Sequence, residues 1–174
     1  INWFYQSGAN EIYPDQWENF LAPIPPEERH DLLAAYHRRL ISGDSEVQLT
    51  AARAWSTWEG ATSFLKPNPK RAKPFGTAEF ALALARIETH YFVNKGFFPS
   101  EDKLLDGVDL IRHIPGVIVQ GRYDVVCPMT TAWELAGRWP EVDFRIVGDA
   151  GHSAYEPGIT HELISAADMF LSGK

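Results

Sequence analysis

The spacing of hydrophobic residues changes along the chain, and the change falls near residues 105–115. Up to about residue 98, apolar side chains recur with the period of amphipathic α-helices. From Ile114 onward, short runs of β-branched residues alternate with helical stretches, as in a parallel sheet covered by helices. The pattern therefore predicts a helical domain over residues 1–105 and an α/β domain over residues 106–174.

The first half carries clear helix start and stop signals. One helix is predicted to begin near Pro25, because proline fits the first turn, and to end at Gly43. A second should begin at the capping pattern of Ser45 and end near Gly60. Residues 1–25 combine many aromatic side chains with Pro and Gly, and we expect them to be irregular.

A third helix is predicted after a basic, proline-rich connection over residues 66–76. Thr77 is its expected N-cap, and the helix should end before the Phe-Phe-Pro string at 97–99. Its apolar stripe is expected to consist of Phe80, Leu84, Ile87 and Tyr91.

Two strand-like runs in the second half each lead into a glycine-flanked turn. The run at 116–120 precedes Gly121-Arg122-Tyr123-Asp124, and the run at 142–147 precedes Gly148-Asp149-Ala150-Gly151-His152. Helices are predicted over 128–138 and 157–171. The order strand, Asp turn, helix, strand, His turn, helix is typical of the acid and base of a Ser-His-Asp triad in an α/β-hydrolase.

Asp124 and His152 are therefore the candidate catalytic acid and base. A carboxylate at the carboxyl end of a parallel strand lies where open α/β sheets place their ligands. Either residue alone is equally well explained as an ordinary turn residue, since Asp favours turns. Their order and spacing together predict that Asp124 orients the imidazole and that His152 moves the proton.

Composition narrows the expected partners and setting. The net charge of -7 argues against nucleic acid and anionic membranes, both of which select basic patches. The single cysteine, Cys127, rules out a disulfide within the chain, and we expect a reducing, cytoplasmic setting. No histidine spacing suggests a metal site, and no apolar run approaches the roughly 20 residues of a membrane span.

Several strings in the chain closely resemble the proline iminopeptidase family. The most specific are Trp55-Ser56-Thr57-Trp58-Glu59-Gly60 and Arg86-Ile87-Glu88-Thr89-His90-Tyr91-Phe92. The string Asn2-Trp3-Phe4-Tyr5-Gln6 and the two turns with Asp124 and His152 also match, the turns much less specifically. The resemblance runs over essentially all 174 residues and matches the carboxyl-terminal portion of the family. It implies an α/β-hydrolase whose sheet units follow a helical cap, and a cofactor-free serine exopeptidase that removes proline from peptide N-termini.

The resemblance also implies substrate-binding residues. Glu59 and Glu88 match the cap glutamates that hold the cationic amine of an N-terminal proline. A secondary ammonium entering an apolar pocket loses hydration and needs such a carboxylate partner. Phe92 lies one helical turn beyond Glu88 and is expected to line the ring pocket, although a plain core role would explain it too. Cys127 is expected near the same pocket, with an inert thiol as the competing interpretation.

The expected nucleophile is not found in this sequence, because none of its serines lies in a Gly-x-Ser-x-Gly turn. We therefore expect an amino-terminal part of the same protein to supply the serine and the oxyanion hole, with small prolyl peptides as substrates. Two alternatives stay open. One is another capped hydrolase acting on esters or epoxides, and the other is a catalytically inactive fragment or binding module.

Overall fold

The computed structural model describes residues 1–173, and these fall into two compact units. The first unit contains Ile1–Thr62 and Lys66–Phe97, and the second contains Ser63–Leu65 and the residues from Phe98 onward. No helix among the described residues is both long and apolar enough to cross a bilayer.

The first unit is helical throughout. Its helices are α1 (Asn2–Tyr5), α2 (Pro14–Leu21), α3 (Leu32–Leu40), α4 (Ser45–Thr62), α5 (Pro69–Ala72) and α6 (Ala78–Val93), joined by short 3-10 turns.

Two of the predicted helix starts agree with the structure, since α4 begins at Ser45 and Thr77 is the N-cap of α6, whereas the amino-terminal part differs from the prediction for local reasons. Pro26–Glu28 forms only a 3-10 turn, and α3 begins after Asp31, whose carboxylate accepts the Ala34 N–H at 3.0 Å. The prediction that residues 1–25 are irregular was wrong, since they contain α1 and α2. Pro14 at the first position of α2 is a start signal that the surrounding Pro and Gly residues obscured.

Aromatic side chains form the interior of the first unit. Phe20, Tyr36, Trp55 and Trp58 are all at most 1% exposed. Phe20 stacks on Tyr36 with ring centroids 4.7 Å apart, and the Tyr36 hydroxyl donates to the Phe20 carbonyl at 2.5 Å. Burial raises the pKa of Tyr36 well above its usual value. Each buried ring contributes through area and through pairing, the latter by about 0.5–1.5 kcal/mol per pair.

The buried face of α6 is not the one that its large apolar residues predicted. Phe80, Ile87 and Tyr91 are 40%, 60% and 51% exposed. The side chains that face inward are small: Ala81, Ala85 and Thr89 are fully buried where α6 packs against α3 and α4. Small residues allow close approach of helices that already carry bulky rings, so tertiary packing overrides the hydrophobic stripe.

The second unit contains α7 (Lys103–Asp106), β1 (Val117–Gly121), α8 (Met129–Arg138), β2 (Asp143–Val147) and α9 (Pro157–Leu171). The two strands pair in parallel, with Val117 opposite Asp143 and Gly121 opposite Val147. The chain is thus mostly helical with a small parallel sheet. Apart from Gly121 and Val147 at their carboxyl ends, the strand residues are half-buried or exposed, unlike the fully buried strands that the sequence suggested.

The in-register pairing brings both strands to an end at one edge of the sheet. The turn after β1 is then joined to the turn after β2 by main-chain bonds, from Arg122 N to Val147 O at 2.9 Å and from Tyr123 N to Ala150 O at 3.0 Å. A Cβ on Gly121 would lie only 1.9 Å from the Gly151 carbonyl oxygen, so glycine is required for this approach.

Because the buried face of α6 carries small residues, the same Ala→Leu substitution should change the stability of the protein to different extents at two nearby positions of this helix. Ala85→Leu places three extra carbons in a filled interface and should lower the free energy of unfolding by about 1–3 kcal/mol. Ala83→Leu, on the exposed side of the same helix, should change it by less than about 0.5 kcal/mol. Urea unfolding of both variants measures the difference. Equal effects would show that residue 85 does not face the packed interior.

Candidate active site

The turn after β1 holds Asp124 through both of its carboxylate oxygens. Oδ1 accepts the Cys127 N–H at 2.8 Å, which closes the turn. Oδ2 lies 3.0 Å from His152 Nδ1 and also accepts the Gln120 side-chain amide at 3.2 Å. The Asp124 side chain is only 6% exposed. Asp124 therefore acts as a turn residue and as the partner of the imidazole at once.

His152 reaches Asp124 because its own turn is fixed from both sides. The Tyr123 N–H binds the Ala150 carbonyl, and the His152 and Ser153 N–H groups both donate to the Ser63 carbonyl, at 3.2 and 2.9 Å. The imidazole itself is 38% exposed. The structure thus brings Asp124 and His152 together, with the imidazole accessible to solvent.

The carboxylate raises the pKa of His152 from its ordinary 6.5 to about 10. The hydrogen bond that His152 donates to Asp124 is the largest cause, a side-chain hydrogen bond with Cys127 is the second, and partial burial opposes both. In this chain the pair is therefore an ion pair at neutral pH. A general base must be neutral to accept a proton, so base catalysis by His152 requires surroundings that lower this pKa.

Cys127 lies in the Asp124 turn and is exposed. Its main-chain N–H holds Asp124 Oδ1, and its carbonyl accepts the Gln120 amide at 3.3 Å. Gln120 was not predicted from the sequence. Its side-chain amide connects the end of β1 to the Asp124 turn by donating to the Asp124 carboxylate and to the Cys127 carbonyl.

Glu59 lies on the buried face of α4 and is 7% exposed. It accepts a short hydrogen bond from the Tyr5 hydroxyl. Tyr5 stacks almost flat on Trp55, with centroids 4.1 Å apart and ring planes 14° apart. A carboxylate placed among rings at this depth loses most of its hydration and depends on such donors.

Glu88 lies on α6 and binds the other ring of that stack. Its Oε2 accepts the Trp55 indole N–H at 2.7 Å. Phe92, one turn further along α6, has its ring centroid 5.5 Å from Tyr5 and 6.5 Å from Trp55. The structure therefore brings Glu59, Glu88 and Phe92 to one aromatic cluster of the first unit, through rings that sequence reasoning had not assigned to a site.

Tyr5 and Trp55 could have been suspected from the aromatic strings in which they occur, but their hydroxyl and indole partners are 54 and 33 residues away. Nothing in local spacing identifies such pairs.

Among residues 1–173, no group of His, Cys, Asp and Glu side chains is arranged to hold a metal ion.

The ion pair predicts a specific change in the titration of His152. Because protonation is favoured in the folded state, its contribution to stability is complete below about pH 6.5 and is lost as the pH rises through about 10. Asp124→Asn should bring the pKa of His152 down toward 6.5, as measured by NMR titration of the imidazole. Asp149→Asn, an exposed carboxylate of the same turn, is the matched control. Titration near 10 in Asp124→Asn would contradict the assigned cause.

Comparison with known proteins gives relatives over nearly the whole chain. A protein named "Probable proline iminopeptidase" from Leptolyngbya boryana is 58% identical over 174 residues, which are 54% of its length. The proline iminopeptidase of Arabidopsis thaliana is 58% identical over 167 residues, or 44% of its length. That of Neisseria gonorrhoeae is 46% identical over 167 residues, or 51% of its length. No family model matches the chain.

The chain spans about half the length of these curated relatives. This coverage is consistent with a match to their carboxyl-terminal portion. The resemblance inferred from the motifs is confirmed: from end to end, the chain is homologous to part of the proteins named proline iminopeptidase.

Proposed function

We propose that this chain is the carboxyl-terminal part of a serine exopeptidase that releases proline from the N-terminus of small peptides. Residues 1–105 would form the helical cap, and residues 106–174 would complete an α/β-hydrolase domain. A serine and an oxyanion hole from the amino-terminal part of the same protein would complete the site. The proposal includes a cytoplasmic setting, which rests on the single cysteine.

The observation that carries this proposal is the pair of carboxylates on stacked rings. Glu59 and Glu88 bind the adjacent rings of Tyr5 and Trp55, and Phe92 lies beside both rings. An N-terminal proline presents a cationic nitrogen within an apolar ring, so it needs carboxylates and aromatic surfaces together. Neutral ester or epoxide substrates would gain nothing from two such acids.

The catalytic steps follow from the Asp124–His152 pair. The serine attacks the prolyl carbonyl while His152 takes its proton, and the imidazolium then protonates the leaving amine. Water hydrolyses the resulting acyl-enzyme with His152 as base again. Asp124 keeps a proton on Nδ1 and stabilises the imidazolium throughout, while Glu59 and Glu88 bind the amine so that only a terminal residue reaches the serine.

A chimera tests the reaction class. Joining the remaining part of the Leptolyngbya boryana relative to this chain should give an enzyme that cleaves proline p-nitroanilide in preference to p-nitrophenyl acetate. His152→Ala should lower kcat/KM by about 1,000-fold or more. The 174-residue chain alone should be inactive. Cleavage by the chain alone, or an ester preference of the chimera, would refute the proposal.

The cap glutamates should act on substrate binding. In the chimera, Glu59→Gln and Glu88→Gln keep a hydrogen-bond acceptor for the rings but remove the charge. Each should raise KM for proline p-nitroanilide by about 10- to 100-fold, the value of a hydrogen bond to a charged group. Glu79→Gln, an exposed glutamate of α6, is the matched control. An unchanged KM in both site variants would remove them from the amine site.

Chemical modification of Cys127 tests independently whether its thiol lies near the proposed substrate pocket. It is the only cysteine in the chain and is exposed. Alkylation with a bulky maleimide should inhibit the chimera, provided that the cysteines of the added part are first replaced. The Cys127→Ala form should resist the reagent. Full alkylation without loss of activity would mean that the thiol lies away from the substrate.

A further inference from the structure

Another buried acid, Glu156, lies beside the turn that carries His152. It precedes α9, where its carbonyl accepts the Thr160 N–H at 2.9 Å, and it is 8% exposed. Its carboxylate is directed toward the turn. Oε1 accepts the N–H of Gly151 at 2.8 Å and the N–H of Leu65 at 3.2 Å.

These two bonds join the same pieces of chain as the bonds to Ser63. The Ser63 carbonyl accepts from His152 and Ser153, while Glu156 links Gly151 to Leu65. The fit is tight: a Cβ on Gly151 would lie 2.9 Å from the Leu65 nitrogen and 3.0 Å from Glu156 Oε1. Hydrogen bonds thus hold the His152 turn to residues 63–65 at Gly151, directly before His152, and at Ser153, directly after it.

We propose that Glu156 is a positioning residue for His152, acting through the main chain of the turn and never touching the imidazole. A carboxylate that accepts two N–H groups forms charge-assisted bonds that are stronger than those of a neutral acceptor. It fixes the Ala150–Gly151 peptide, one peptide before the one that the Ser63 carbonyl holds at His152, and thereby helps to set the direction in which Nδ1 meets Asp124. The inference goes beyond the proposed function, because it concerns the Asp124–His152 pair whatever substrate that pair serves.

The competing explanation is that Glu156 only starts α9. Helix initiation depends on its backbone carbonyl, which every residue has, and the side chain would then be free to point to solvent. The side chain instead satisfies two N–H groups outside α9, in the turn and in residues 63–65. Removing it leaves the buried Gly151 N–H and the part-buried Leu65 N–H without this acceptor, which favours a movement of the turn.

The experiment measures the pKa of His152 by NMR titration of the 174-residue chain, so no catalytic activity is needed. Glu156→Ala should lower that pKa from about 10 toward 6.5, as Asp124→Asn does, although Asp124 is intact. Glu156→Gln, whose amide oxygen can accept the same two N–H groups, should keep it near 10. Glu162→Ala is the control, because Glu162 is on α9 and pairs with Arg145 at 3.1 Å.

Far-UV circular dichroism decides which variants are folded. If Glu156→Ala is unfolded, Glu156→Asp replaces it, since the side chain shortened by one methylene cannot reach both donors; faster hydrogen exchange at Gly151 and Leu65 then reports the lost bonds. A folded Ala or Asp variant with the His152 pKa still near 10 overturns the proposal. So does loss of folding in both variants, which would assign Glu156 to stability alone. Failure of the peptidase proposal would leave this titration unaffected.

Discussion

The parallel, in-register pairing of β1 with β2 is the constraint on which the candidate catalytic pair depends. Because Gly121 lies opposite Val147, both strands end at one edge and their following turns lie side by side. The absence of a side chain at Gly121 then permits main-chain contact between the turns. Asp124 and His152 are 28 residues apart in sequence, and this pairing, together with the bonds that hold the His152 turn to Ser63, brings them within hydrogen-bond distance.

The same arrangement has two opposing electrostatic effects on the proposed role of His152. A carboxylate that is 6% exposed and receives three donors is a strong partner for an imidazolium, and it holds the proton on His152 well above neutral pH. In the proposed mechanism this would stabilise the cation formed on His152, but it would oppose the step in which His152 accepts a proton. In a complete site, a neighbouring hydroxyl and greater burial would act in the opposite direction, since burial disfavours the charged imidazole.

The predictable part of the molecule follows from local signals. The order of strand, turn and helix signals predicted β1, α8, β2 and α9, because Gly, Asp and β-branched residues indicate such elements without information on distant contacts. The buried face of α6 and the helix within residues 14–21 were missed. In each case a distant packing partner or a single proline outweighed the local pattern. For the site, the pair Asp124 and His152 follows from topology, whereas Tyr5, Trp55, Gln120 and Glu156 act through partners that no local spacing reveals.

Asp124 uses its two oxygens for different purposes, and this division determines the chemistry of the imidazole. The bond from the Cys127 N–H to Oδ1 opposes rotation of the carboxylate and leaves Oδ2 facing Nδ1. A carboxylate can only accept there, which keeps a hydrogen on Nδ1 in both charge states of the ring. The neutral ring is therefore restricted to one tautomer, with the lone pair on Nε2. A main-chain contact in a surface turn thus selects the nitrogen that is available to exchange protons with its surroundings.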